Sequence, residues 1–251
     1  MRTGTVGGVT NERSARPETC PAPVRRAVML QGWHDLAYLH WRYDPADVAR
    51  VLPAGLEVDT FDGSAWVGLI PFHMVDIGPP GVPAVPYLGS FAEVNVRTYV
   101  VRDGVPGVWF CSLDIDRLVP TLVARATYRL PYCWGRASHR REGAVLTTEV
   151  ERWWPHRGPR ASISVEIGEA FEEQSELEVF LSARWGLYSH GRGGRVRYAA
   201  VDHGRWPLRR ARLLSLDESL VTAAGLPAPV GEPHVLFSDG VDVRIGRPRR
   251  A

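Results

Sequence analysis

Three side chains able to do chemistry recur at every second position of SFAEVNVRTYVV, residues 90–101: Glu93, Asn95 and Arg97. That period places them on one face of a strand, bracketed by Phe91 and Tyr99, while Ala92, Val94, Val96, Thr98 and Val100 form the other face. On a solvated face an acid, an amide and a base in a row would be unremarkable. Facing an apolar interior, the same row becomes a site for proton transfer. Burial raises a carboxyl pKa towards a working range, and a guanidinium grips a carboxylate or carbonyl through parallel N–H groups. The bracketing aromatics favour the interior. Each residue also has a structural alternative: Glu93 and Arg97 can neutralise each other, Arg97 can clamp strands, and Asn95 can orient either.

Other residues fit around this row. His34 and His40 lie in an aromatic stretch with Trp33, Tyr38 and Trp41. His34, His40, Trp41 and Phe91 join Asn95 and Arg97 as expected substrate contacts, although a histidine in such a stretch is also a common core residue. Tyr132 is either a core tyrosine or a phenol that donates to a developing oxyanion. Its neighbour Cys133 reads as a buried structural thiol. The histidines His34, His40, His73 and His203 show no ligand spacing, so no metal and no cofactor is expected.

Among 251 residues there is no lysine, and all 30 basic residues are arginines. Arginine stays protonated and forms no imine, so Schiff-base chemistry through a side chain is excluded. A net charge of +2 asks for no nucleic-acid partner. Cys20, Cys111 and Cys133 match no zinc or redox spacing and suggest a reducing, cytoplasmic setting. No apolar run reaches membrane-spanning length.

The elements that position these residues are short. Residues 1–27 lack periodicity and read as a disordered tail, leaving 28–251 as one domain. DPADVARVLP reads as a helix with Asp44 as N-cap and Pro45 in its first turn. SELEVFLSARW carries a capping box, Ser175 with Glu178. Residues 116–130 are helical in part, DESLVTAAG is a small helix, and residues 76–89 form a long Pro- and Gly-rich loop that either covers a site or stays rigid. Most of the remainder alternates as strands separated by turns such as RDG. Many strands without a βα rhythm predict a mainly β barrel or sandwich with helices outside.

The stretches GWHDLAYLHWRYDPADVARVLPAGLEVDTFDGSAWVGLIPFHM, FAEVNVRTYV, GVWFCSLDID, ARATYRLPYCW, FLSARWGLY and DHGRWPLRRA together resemble the bacterial YqjF-like family, a domain of unknown function. The resemblance covers about residues 29–245 and implies an acetoacetate decarboxylase-like fold: α+β but mainly β, a cone-shaped antiparallel barrel with an internal pocket and short outer helices. It implies that His34 stands where those decarboxylases place a basic substrate-binding residue and that Glu93 stands at their active-site glutamate. Tyr132 and Cys133 stand where they carry the imine lysine and its neighbour. It also weakly implies a homo-oligomer.

The expected function is an enzyme acting on a small molecule that bears a carbonyl or carboxylate, with no imine and no metal. Glu93 would move the proton, Arg97 and His34 would hold the anionic end, and Tyr132 would stabilise the oxyanion. Decarboxylation, dehydration, cyclisation and isomerisation all fit, with tailoring of a secondary metabolite as a setting. The alternative is a non-catalytic small-molecule binder on the same fold. A pocket of several hundred Å3 touching Glu93 is expected under both.

Overall fold

The computed structural model describes residues 16–251. Its strands are β1 (Ala27–Tyr43), β2 (Glu57–Val58), β3 (Ala65–Gly78), β4 (Phe91–Arg102), β5 (Val105–Ile115), β6 (Tyr132–Glu142), β7 (Val145–Trp154), β8 (Arg160–Ala170), β9 (Gly186–His190), β10 (Val196–His203), β11 (Leu208–Glu218), β12 (His234–Gly246) and β13 (Arg249–Arg250). Four short helices interrupt them: α1 (Pro45–Ala49), α2 (Leu118–Thr127), α3 (Glu176–Ser182) and α4 (Leu220–Ala223). No helix among the described residues is long and apolar enough to cross a membrane.

All the strands join one sheet, and the sheet forks at two places. β5 pairs with β4 along one edge; on its other edge Leu113–Ile115 pair with β6 and Val108–Trp109 pair with β9. β12 pairs with β1 along one edge; on its other edge Leu236–Ser238 pair with β11 and Val243–Ile245 pair with β10. Two closed rings result. The larger has nine strands, β5-β6-β7-β8-β11-β12-β1-β3-β4. The smaller has seven, β5-β9-β10-β12-β1-β3-β4, and shares five of them with the larger.

The two interiors differ in chemistry. Every strand of the nine-strand ring sends apolar side chains into one cluster, among them Leu39, Val67, Val94, Val96, Leu146, Ile163 and Phe237. Val48 of α1 and Leu220 and Val221 of α4 belong to the same cluster. This interior is a filled hydrocarbon core. The seven-strand ring holds the cavity described below.

Local chemistry sets the register between rings. The β4–β5 hairpin turns on Asp103 and Gly104, both at positive φ (50° and 76°), the two-residue turn whose twist matches its strands. It brings Glu93 opposite Ile115 and Asn95 opposite Leu113. In β4 the even face, Val94 and Val96, enters the filled core, and the odd face, Glu93, Asn95 and Arg97, enters the smaller ring. The odd face therefore looks into a pocket.

The helices form as their caps dictate. Asp44 accepts from the Ala46 amide with Pro45 behind it, and the reciprocal Ser175–Glu178 capping box starts α3. Residues 16–26 fall in the stretch read as a disordered tail, yet they lie along the body. Arg16 pairs with Asp59, Trp185 donates to the Pro17 carbonyl, Glu18 pairs with Arg205, and the Val24 amide donates to Asp202. Polar groups on an otherwise aperiodic segment hold it there. The rest of the expected tail, residues 1–15, lies outside the described residues.

Candidate functional site

The seven-strand ring encloses a cavity of about 300 Å3 with lining residues from each of its strands. Its walls are mostly hydrocarbon: Leu36, Ile70, Phe72, Phe110, Leu113 and Leu187 are representative. Glu93, Asn95 and Arg97 run down one wall, Tyr132 faces them, and Gln31 and Tyr128 supply the remaining polar edges. Val119 and Val123 of α2 line the cavity and are about half exposed, so the cavity opens beside α2. α3 lies against Arg97, whose Nη2 meets the Leu181 carbonyl.

Glu93 is the one carboxyl of this lining. It is 2% exposed and accepts a hydrogen bond from the Tyr132 hydroxyl at 3.1 Å. Burial pushes its pKa up to about 8; hydrogen bonds from Tyr132 and Asn95 pull it down, and the Asp114 charge adds a smaller push upward. At neutral pH Glu93 is mainly protonated. Tyr132 is held well above the usual phenol range, first by burial and then by Glu93. The pair is thus an acid backed by a neutral donor.

Arg97 lies at the deep end. Its Nη2 donates to the Leu181 carbonyl at 3.1 Å and to the Tyr99 hydroxyl at 3.2 Å, covering a carbonyl left free in the last turn of α3. Tyr99 donates to the same carbonyl at 2.7 Å. With that proton spent, His40 Nε2, 2.6 Å from the Tyr99 oxygen, is the donor of their contact. His40 is neutral, its pKa driven down first by burial and then by Arg97. Gly68, opposite it on β3, makes room, since a Cβ there would lie 2.7 Å from His40 Nε2.

Buried arginines otherwise have acids. Arg152 grips Asp114 through two bonds, 2.6 and 2.7 Å, and Arg184 meets Asp59 at 2.7 Å. Arg97, 8% exposed, has no acidic partner among the described residues, and its Nε finds no hydrogen-bond partner. The expected neutralisation of Glu93 by Arg97 does not form: one is uncharged and the other reaches away towards α3.

The sequence-predicted residues divide. Glu93, Asn95, Arg97 and Tyr132 share the cavity. Phe91 packs in the adjoining apolar cluster without lining it, and His40 lies beneath the lining, against Tyr99. Trp41 is on the far side of the wall, in the filled core, with its indole N–H on the Gly231 carbonyl. His34 is exposed and points outward, so it cannot hold a ligand there. The reason is Asp35, whose positive φ of 49° begins an irregularity in β1 that breaks the alternation. Before it Gln31 and Trp33 face the cavity; after it Leu36 does. Gly240 of β12 admits the irregularity, because a Cβ there would stand 2.2 Å from the Trp33 oxygen. The cavity residues missed from sequence, Gln31, Trp33, Val119 and Val123, carry no signal except apolar type or the parity of β1. Cys133 is buried with its pKa pushed up to about 12, first by burial, which keeps the thiol protonated. Among the described residues no group of three or more His, Cys, Asp or Glu could hold a metal.

A family model described as an uncharacterized conserved protein, DUF2071, matches residues 30–242. The chain belongs to the DUF2071 family. A curated relative, the uncharacterized protein YqjF of Bacillus subtilis, is 29% identical over 217 residues, covering 86% of this chain and 89% of YqjF. Among solved structures, the enduracididine biosynthesis enzyme MppR complexed with pyruvate aligns with a TM-score of 0.63 at 16% identity, covering 92% of each chain. An acetoacetate decarboxylase-like enzyme from Sphingomonas wittichii RW1 gives 0.63 at 17%, covering 92% of this chain and 96% of that one. An acetoacetate decarboxylase from Legionella pneumophila gives 0.60 at 13%, covering 99% and 98%. These likenesses establish that this DUF2071 member has the acetoacetate decarboxylase-like fold.

Proposed function

We propose that this DUF2071 protein is an enzyme for a small carbonyl- and carboxylate-bearing molecule, working by acid catalysis without an imine. The observation that carries the reading is Glu93: a carboxyl with a pKa of about 8, hydrogen-bonded to Tyr132, in the wall of a 300 Å3 apolar cavity. A neutral carboxyl backed by a phenol suits donation to a carbonyl oxygen while a water molecule takes the proton from the α-carbon, or to a hydroxyl departing as water while a second water takes that proton. The carboxylate left behind is stabilised by Tyr132 and Asn95, which already donate to it. Arg97 holds the anionic end. Isomerisation and dehydration fit this equipment: the first moves only protons, and the second adds cleavage of one C–O bond whose oxygen leaves as water after Glu93 protonates it.

The non-catalytic alternative has its own support. Among the described residues Glu93 is the one carboxyl of the lining and no histidine joins it, so neither a second carboxylate nor an imidazole stands ready as a base. Hydrogen exchange in D2O separates the readings. A panel of 2-oxo and 4-oxo acids is incubated with the protein, and deuterium entering beside the carbonyl is followed by NMR. Catalysed exchange that falls about 100-fold or more in Glu93→Gln supports the enzyme. Binding of the same acids without exchange supports the binder, and exchange equal in both proteins refutes the role of Glu93.

A further inference from the structure

Within that reading, on which this inference rests, the cavity also specifies the shape of its occupant. Arg97 and Glu93 are four residues apart on one strand, which sets their Cα atoms roughly 13 Å apart at about 3.3 Å per residue. Arg97 is drawn further away by its bonds to the Leu181 carbonyl and the Tyr99 hydroxyl at the floor. A two- or three-carbon acid seated on Arg97 does not reach the Glu93–Tyr132 pair. Apart from Asn95, the lining around and beyond them is hydrocarbon, as at Leu36, Ile70, Phe72, Phe110, Leu113 and Met74. At the mouth Val119 and Val123 belong both to the lining and to the surface.

The apolar character continues outside. Leu118, Leu122, Val82, Val85 and Tyr87 are all exposed, on α2 and on the loop following β3. Arg117 joins the two parts, donating to the Tyr87 carbonyl at 2.8 Å and lying over its ring. Exposed apolar side chains gathered round a cavity mouth mark a place where apolar matter docks. Continuity with the lining assigns it to the cavity's own ligand.

We infer that the substrate is an extended, mainly apolar carboxylic acid whose carboxylate seats on Arg97 at the floor, whose reacting carbonyl lies several bonds away beside Glu93 and Tyr132, and whose tail leaves past α2. Among the described residues Arg97 is the buried arginine without an acid, so a carboxylate completes there what Asp114 and Asp59 do for Arg152 and Arg184. Hydrocarbon walls contribute affinity in proportion to chain length, and the open mouth sets no sharp upper limit.

The test is calorimetric titration of the full chain with butanoate, hexanoate, octanoate and dodecanoate, and with octan-1-ol as the uncharged control. Affinity should rise about fourfold per methylene along the acids. Octanoate should bind at least tenfold more tightly than octan-1-ol. Arg97→Gln should abolish that preference while keeping the alcohol's affinity. Since Arg97 also covers the end of α3, a second variant guards against misfolding. Leu122→Gln, exposed on α2 and outside the lining, should weaken dodecanoate about fivefold and leave butanoate unchanged. Equal affinity for butanoate and octanoate overturns the extended substrate but leaves the proposed function standing. Acids that bind no better than octan-1-ol at any length overturn both.

Discussion

At the scale of single residues, the site turns on one proton. Glu93 holds it between pH 4.5, the ordinary carboxyl value, and about 8. Unfolded chains release it in that window, so the folded state binds more protons there and loses stability as pH rises. Below 4.5 both states are protonated and nothing is lost. Urea unfolding of the wild type should therefore carry a contribution of up to about 1.4 kcal/mol per pH unit from this group, and Glu93→Gln should remove it. A pH slope identical in both proteins contradicts a neutral Glu93. Tyr132→Phe deletes a donor that favours the charged carboxylate, so it should move the alkaline limb of any acid-dependent turnover to higher pH. A limb that moves down, or stays, removes Tyr132 from the site. Much of this was legible beforehand, since Glu93, Asn95 and Arg97 keep strict alternation on an unbroken strand. His34 was not, because alternation carries information only until Asp35 interrupts it. Trp41 was misplaced by the same change of parity, which turns Leu36, Tyr38 and His40 inward and leaves Trp41 in the filled core.

At the scale of elements, two buried contacts fix the wall on which the site is built. Arg152 of β7 reaches past β6 to Asp114 of β5, with Ser112 completing the carboxylate's partners. Gly135 lies between them on β6, where a Cβ would stand 2.0 Å from the Glu151 oxygen. Arg152→Met strands a buried carboxylate and should cost about 3–5 kcal/mol in urea unfolding. Loss below 1 kcal/mol would mean that Asp114 takes up a proton at little cost. Gly68→Ala drives a methyl into the His40 ring, and should lower stability by about 1–3 kcal/mol and weaken carboxylate binding through Tyr99 and Arg97. Unchanged binding would show the floor to be uncoupled from the anion. Caps and turns announced α1, α3 and the β4–β5 hairpin in the sequence, because capping and turn chemistry is local. The forks in β5 and β12 were invisible, since each depends on strands distant in sequence choosing different ends of one partner.

At the scale of the whole molecule, one sheet makes two chambers, and an N-terminal strap ties across the smaller one's outer side. Arg16 joins Arg184 on the buried Asp59, while Cys20 and Val24 bond to Val201 and Asp202 of β10. A chain beginning at Ala27 should lose about 1.5–3 kcal/mol for the charged hydrogen bond alone, read as a lower midpoint in urea. An unchanged midpoint would show the strap to be idle. The sequence disclosed a mainly β fold with an internal pocket through pattern and family resemblance. It did not disclose that the packed interior and the pocket are different spaces.

That separation has a consequence for descent. Side chains inside the nine-strand chamber fill it, and those inside the seven-strand chamber leave a space. A lineage can exchange a lysine for a tyrosine, or a leucine for a serine, in the second space without disturbing the first. Drift in ligand preference and constancy of folding then proceed on opposite faces of the same five strands, and related chains can share an architecture while sharing no chemistry.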